Sequence, residues 1–581
     1  MKKIILFCLF CSLHILAQQR SQKTFCNPMD IGYRYNFEQI SQRISYRSAA
    51  DPVIVTYKGK YYLFATISGG WWKSDDMSVW EYIKPNMWPM EDICAPAALV
   101  AKDTLFLYQS TFDQRPIFYT TEPETGNLKF YNRYMPWRPK EIGSWDPAIF
   151  YDEDLDRWFM YWNSSNVYPI YGCELDHSRQ LAYKDEKVFD FIYLHPWQHG
   201  WERFGFNHSD EIDPFIEGAW MTKHNGIYYL QYAAPGTEYN VYANGTYIGK
   251  DPLGPFEYAP YNPISYKPGG FMMGAGHGNT FQDLYGNYWN TGTPWVAVNW
   301  NFERRMSMFP AFFDNDDQFF ANSRFGDFPH YLPTKKLSSK DELFTGWMLL
   351  SYKKPTTCSS VRDTFNSSKV TDENVRSFWV ADKNKAGEWL IIDLQKECNV
   401  KAIQINYSDY KSNIFFNDST VYTQFKFYAS KDKVNWECVV DLSKDKQDRP
   451  NGYFELETPF DAEYIKFENV YAPTPNLAIS DIRIFGNSND PLPETPQNFS
   501  AERQCDQRNA DITWNKVKGA VGYNILWGIG KDKLYQTYQV FNDSKTELEI
   551  RALNEGQDYY FAIETFNENG VSKVSEVVYC K

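Results

Sequence analysis

Five segments in the first half of the chain repeat one plan, and that repeat constrains the fold more than any other feature of its 581 residues. ADPVIVTYKGKYYLFAT (50–66) reads as a strand, a Lys-Gly turn and a second strand. WDPAIFYDEDLDRWFMYW (145–162) and EGAWMTKHNGIYYLQYA (217–233) follow the same order, the latter with an Asn-Gly turn of hairpin type. APAALVAKDTLFLYQS (95–110) and HGNTFQDLYGNYWNTG (277–292) are weaker copies. Aligning Pro52, Pro96, Pro147, Gly218 and Gly278 gives steps of 44, 51, 71 and 60 residues. Hairpin units at such spacing are the signature of a β-propeller. The sequence therefore predicts an all-β chain that opens with a five-bladed propeller over 26–333. In that architecture the innermost strand of each blade starts at the central channel, so the repeat heads converge there.

Three of those heads carry an acid: Asp51, Asp146 and Glu217. A carboxylate at the start of an apolar strand loses hydration unless it is hydrogen-bonded or at work. Taken singly, an Asp-Pro pair is more often a turn initiator. Their joint occurrence at heads one, three and four is what points to chemistry. Two carboxylates on opposite sides of a sugar suffice for glycoside hydrolysis, one taking a proton from water and the other giving one to the leaving oxygen. A third can raise the acid's pKa by like-charge repulsion.

Composition narrows the partners. The formal net charge of −14 argues against nucleic acid or an anionic membrane as partner. No G-x-G-x-x-G follows a strand and no P-loop is present, so no nucleotide or redox cofactor is implied. Aromatic residues make up 18% of the chain, and 14 of the 20 tryptophans precede residue 334. Trp71, Trp72 and Trp145 lie near the acidic heads and are candidates for stacking on a sugar's C–H face. Trp197 and Trp201, in an aromatic loop at 194–208, are further subsite candidates, whereas Trp80 reads more readily as core. Lys2 and Lys3 followed by the apolar run 4–16 and Ala17 read as an export leader, 1–17, which places the protein in the periplasm or outside the cell. No later segment is long and apolar enough to span a membrane. Eight cysteines remain beyond the leader, with no C-x-x-C, and Cys505 and Cys580 are the expected bridge.

The ordered motifs resemble glycoside hydrolase family 43. ADP at 50–52, WDP at 145–147, EG at 217–218 with its MTKxxGxYYL strand, GAGHGNTF around His277 and FERRMSMFP around Arg304 and Arg305 carry the resemblance. It implies hydrolysis with inversion, Asp51 as general base, Asp146 as pKa modulator and Glu217 as general acid. It implies an arginine beside the acids to hold Asp146 ionised and bind sugar hydroxyls, with Arg305 slightly favoured over Arg304. It also implies an axial site at His277, where the ring meets a calcium ion or water. The expected activity is exo-hydrolysis of an α-L-arabinofuranoside or β-D-xyloside, with a galactoside next and a non-catalytic sugar-binding propeller as the rival.

Polar segments at 334–346 and 487–497 divide off two more units. TDENVRSFWVADKNKAGEWLIIDL and the closing SDIRIFG make 347–486 similar to a discoidin domain, a jelly roll that binds carbohydrate or serves as a spacer and is compatible with a structural calcium. In it Trp379, Trp389 and Trp436 are expected framework residues. Residues 494–581 resemble a fibronectin type III sandwich, with Trp514 and Tyr523 on early strands and Leu553, Gly556 and Tyr559 at its corner.

Overall fold

A computed structural model describes residues 23–36, 40–87, 94–110, 116–133, 145–415, 420–542 and 545–580. The expected leader, 1–17, lies outside the described residues. Among the described residues every sheet is antiparallel, and helix is confined to short 3₁₀ turns.

The repeats fold into five sheets, each laid down in chain order. Their first strands are Val53–Tyr57, Ala97–Ala101, Ala148–Asp152, Glu217–His224 and Thr280–Gln282. Each of these strands packs against the first strand of the next sheet, and the fifth returns against the first, closing a ring. A short strand, Thr24–Phe25, pairs with His330–Tyr331 and ties the two ends of this unit together. The hydrophobic cores sit between neighbouring sheets. Val55, Phe64, Trp71 and Leu107 fill the space between the first and second, and Trp158, Met160 and Phe106 that between the second and third. Most of the aromatic excess is this filling.

The first strands begin alike. Asp51, Ala95, Asp146 and His277 all have left-handed backbones, with φ of 54°, 41°, 47° and 49°. In the fourth repeat the left-handed residue is Gly218, one place later, at φ 64°. There the strand pairing slips between Glu217 and Trp220, a β-bulge that re-aims the head. Non-glycine residues in this region are strained and hold it only where the surroundings insist.

The second unit is one eight-stranded sheet in which Trp389–Tyr407 pairs with both Asn451–Tyr471 and Ala478–Asn487. Register shifts at Asp393/Cys398 and Val400/Ala402 bend these long strands around one core, with Trp379 fully buried in it. Trp389 and Trp436 are only half-buried, so the framework role fits Trp379 alone. The third unit packs a three-stranded sheet on a four-stranded one around Tyr523, Trp527 and Phe561. At its corner the Tyr559 hydroxyl accepts the Asn554 N–H at 3.1 Å.

The three units dock rather than trail. The buried Arg47 of the first meets Asp409 at 3.3 Å and Asp448 at 2.8 Å in the second. Arg483 of the second, fully buried, pairs with Glu373 at 3.0 Å and donates to the Asp327 carbonyl of the first. The loop at 194–208 binds the third unit, Gly200 N–H donating to the Leu553 carbonyl at 2.8 Å. None of the eight described cysteines is in a disulfide, so the expected Cys505–Cys580 bridge is not formed: Cys505 is exposed, and Cys580 is buried in a strand beside Tyr559. Among the described residues no helix is long and apolar enough to cross a membrane.

Candidate active site

The heads meet at one end of the ring. The Asp51 carboxylate is buried; its Oδ2 accepts the Thr66 hydroxyl at 2.5 Å. Its Oδ1 lies 3.2 Å from His277 Nδ1 and 3.6 Å from Arg304 Nη1. The same imidazole nitrogen is 3.9 Å from Asp146 Oδ2. Asp146, Glu217 and His277 each bring a polar atom within 4.8 Å of the others. Glu217 is partly buried and accepts two hydroxyls, Ser164 on Oε2 at 3.0 Å and Tyr242 on Oε1.

Electrostatics divide the acids. Burial alone would push the Asp51 carboxyl up, but the His277 imidazole, the Arg304 guanidinium and the Thr66 hydroxyl outweigh it and hold Asp51 below the usual carboxylate range. For Asp146 burial prevails. With the nearby Glu217 and Asp51 charges it pushes Asp146 up to about 7 against the pull of His277. His277 goes the other way. Burial would lower it, but Asp51, Asp146 and Glu217 together raise it, which favours the imidazolium. The site therefore pairs an ionised carboxylate with a neighbouring carboxyl that keeps its proton near neutrality, the combination acid–base chemistry needs.

Several supporting groups escape the sequence reading. Each repeat's second strand runs out into a hydroxyl that reaches the site. Thr66 serves Asp51, Ser110 accepts the Asp146 N–H at 2.9 Å, and Ser164 serves Glu217. Thr237 accepts from Arg304 Nη1 at 3.3 Å, and Thr293 accepts the Asp51 N–H at 2.8 Å. The recurrence of Thr or Ser just after the second strand of all five repeats was visible in the sequence. Tyr242, at the foot of a third strand, carried no such signal. Glu238 adds a fourth carboxyl, raised by burial and by Glu217 despite Arg304. Gly218 is required by space: a Cβ there would stand 2.9 Å from the His277 ring.

Other candidates lie elsewhere. Arg304 faces the acids, whereas the favoured Arg305 turns away, donating to Asn451 at 2.8 Å and to the Arg47 carbonyl at 2.6 Å. Adjacent residues on an extended chain point to opposite sides, so only one of the pair could enter the site. No ion pair joins Asp146 to either arginine, and its charge partner is His277. Trp71 and Trp72 are completely buried between sheets and offer no face to a sugar. Trp80 is core, as its context suggested. Trp201 is buried against the third unit and donates to Tyr258 at 2.8 Å, while Trp197 is exposed on that docking loop. Trp145, next to Asp146, is exposed, as are Phe206, Trp300 and Phe302, and Phe302 lies under the Arg304 guanidinium at 5.5 Å.

The model of glycosyl hydrolases family 43 matches residues 42–305, and that of the F5/8 type C domain matches 355–480. One solved glycoside hydrolase is 19% identical over 75% of this chain and 97% of its own, with a TM-score of 0.45. The family-43 protein BlXynB from Bacillus licheniformis is 14% identical over 79% of this chain and 100% of its own, at a TM-score of 0.41. An α-L-arabinanase from Cellvibrio cellulosa, complexed with arabinohexaose, is 15% identical over 50% of this chain and 99% of its own, at 0.38. None of the curated proteins compared with the chain matches it. The ring that gathers Asp51, Asp146 and Glu217 is thus a family 43 glycoside hydrolase domain, and the bent eight-stranded unit behind it is an F5/8 type C domain.

Proposed function

We propose that the protein is an inverting exo-glycosidase acting on α-L-arabinofuranosides or β-D-xylosides, and that its five sheets are the blades of a propeller. Asp51, kept ionised by His277 and Arg304, is the base that takes a proton from water. Glu217 is the acid that protonates the leaving oxygen, with Ser164 and Tyr242 fixing its orientation. Asp146, between them electrostatically, keeps a proton in the cluster near neutral pH. The observation that carries this is the opposite displacement of two carboxyls that share one imidazole. Arg304 and Trp145 are the sugar-binding candidates that remain at the site. The third unit is proposed as a fibronectin type III module, on the strength of its Tyr559 corner.

His277 is proposed as a charge partner of Asp51 and Asp146, which its Nδ1 meets at 3.2 and 3.9 Å. A structural calcium is proposed separately in the F5/8 domain, at Asp481. Both Asp481 carboxylate oxygens are fully buried without a hydrogen bond, and Glu373 and Asp372 stand near enough to push its pKa up. Hard oxygen donors of this kind suit calcium, whose charge would hold Asp481 ionised there.

A panel of aryl glycosides, with products read by chromatography and by NMR, tests the assignment. Release of arabinose or xylose one unit at a time with inverted anomeric configuration supports it. No release from any sugar, with Glu217→Ala behaving like the parent on natural oligosaccharides, rejects catalysis. Galactose release would change the donor, and retained configuration would exclude Asp51 as a base acting through water.

A further inference from the structure

The F5/8 domain meets the catalytic rim at a stacked pair. The Arg376 guanidinium lies over the Trp295 ring at 4.6 Å. Trp295 belongs to the site's own scaffold. Its backbone bridges to Arg304, which faces Asp51, and Thr293, two residues earlier, holds the Asp51 N–H. The Trp295 side chain is almost wholly buried, yet its Nε1–H has no hydrogen-bond partner.

Beside this pair opens a cleft of about 450 Å³, walled by both domains. The catalytic domain supplies Val298 and Asn299 on a loop pinned from behind, since both backbone N–H groups donate to Glu303 at 3.1 and 2.7 Å. The F5/8 domain supplies Phe378 and Tyr410, which pack with Phe365 into a triple of rings 4.8–5.4 Å apart. These half-buried faces are rigid and suit the C–H side of a pyranose. The charges at the mouth are Arg376 and Lys411, both exposed. Among the described residues neither has an acidic partner within ion-pair distance, and no carboxylate lines the cleft. Two cations beside an aromatic wall, in a cleft with no carboxylate, suit an anionic ligand.

We propose that this cleft is a second saccharide subsite, shared between the domains, that takes an acidic sugar, a uronic acid residue of the polysaccharide whose neutral side group enters the catalytic site. The Arg376 and Lys411 side chains hold the uronate carboxylate, the guanidinium in forked fashion. The Phe378 and Tyr410 rings take the sugar face, and Asn299 offers its amide to a hydroxyl on the catalytic side. This deepens the glycosidase assignment, because it names the backbone that presents the substrate.

The test is binding, not turnover. Full-length protein carrying Asp51→Asn is titrated by calorimetry with trigalacturonic acid and, separately, with a neutral xylo-oligosaccharide of the same length. Subsite binding predicts that Arg376→Gln and Lys411→Gln each weaken the acidic ligand about tenfold. Raised salt should weaken it too, and the neutral ligand should be affected little. Phe378→Ala should weaken both. Melting curves confirm that each exposed substitution leaves the fold intact, and Lys411→Glu supplies an independent charge reversal. Unchanged affinity for the acidic ligand in Arg376→Gln and Lys411→Glu overturns the subsite, as does equal affinity of the parent for both ligands. Because no turnover is read, these outcomes are separate from failure of the glycosidase assignment, which appears in the aryl glycoside panel.

Discussion

Arg304→Met should move the acidic limb of the pH–rate profile toward neutrality. Arg304 Nη1 stands 3.6 Å from Asp51 Oδ1, and both side chains are nearly buried. Two unit charges at that distance attract by about 4–5 kcal/mol at an effective dielectric constant of about 20. That is an upper bound, because His277 Nδ1 remains 3.2 Å from the same oxygen and water will enter the space the guanidinium leaves. An adjacent arginine ordinarily lowers an aspartate by about 1–3 pKa units. Asp51 is held below the carboxylate range, so the base is ionised, and the enzyme active, down to a pH below that range. Without Arg304 its proton returns at higher pH, and kcat/KM should begin to fall about one to three pH units earlier as the medium is acidified. The assay is kcat/KM on the best aryl glycoside from about pH 4 to about pH 8. Arg305→Met is the control: its guanidinium binds Asn451 and the Arg47 carbonyl, so it should lower the melting temperature without moving the limb. If Arg304→Met lowers kcat/KM equally at every pH, the arginine only binds sugar and does not hold the base ionised.

Asp51→Asn should abolish turnover while an oligosaccharide still binds by calorimetry within a few-fold, since the amide keeps the shape of the pocket; lost binding would show that the charge itself holds the sugar. Gly218→Ala should cost at least tenfold in kcat through displacement of the His277 ring, for the new methyl would sit 2.9 Å from it; parent-like kcat would mean that the ring's place is immaterial. Chelator treatment should lower the melting temperature by several degrees, reversed by calcium, and Asp481→Asn should remove that difference. Identical melting with and without chelator would exclude the ion.

The sequence was legible where a pattern repeated. Hairpins with aligned heads gave the sheets, and the same alignment set Asp51, Asp146, Glu217 and His277 at one end of the ring. What it hid was direction. Trp71 and Trp72 follow a Gly-Gly pair near the first head, but strand alternation packs both into cores on opposite sides of their sheet. Arg304 and Arg305 are indistinguishable as letters, and only the far domain decides which one turns inward. The loop at 194–208 likewise looked like a pocket wall because its partner, the third unit, lies more than 300 residues away in the chain. Tyr242 reaches Glu217 from a third strand, where the repeat has no aligned landmark.

Arg47, Arg305 and Arg483 are buried side chains whose partners lie across a domain boundary. A fragment library cut where the family segments end, at 305 or before 355, would strip Arg47 of its two aspartates and open to water the surface they cover. What is lost is the apolar and ionic surface the two units bury against each other, and a domain's margin of stability is only about 5–15 kcal/mol. The smallest piece that could be inherited or transplanted intact is therefore larger than a single recognisable family segment.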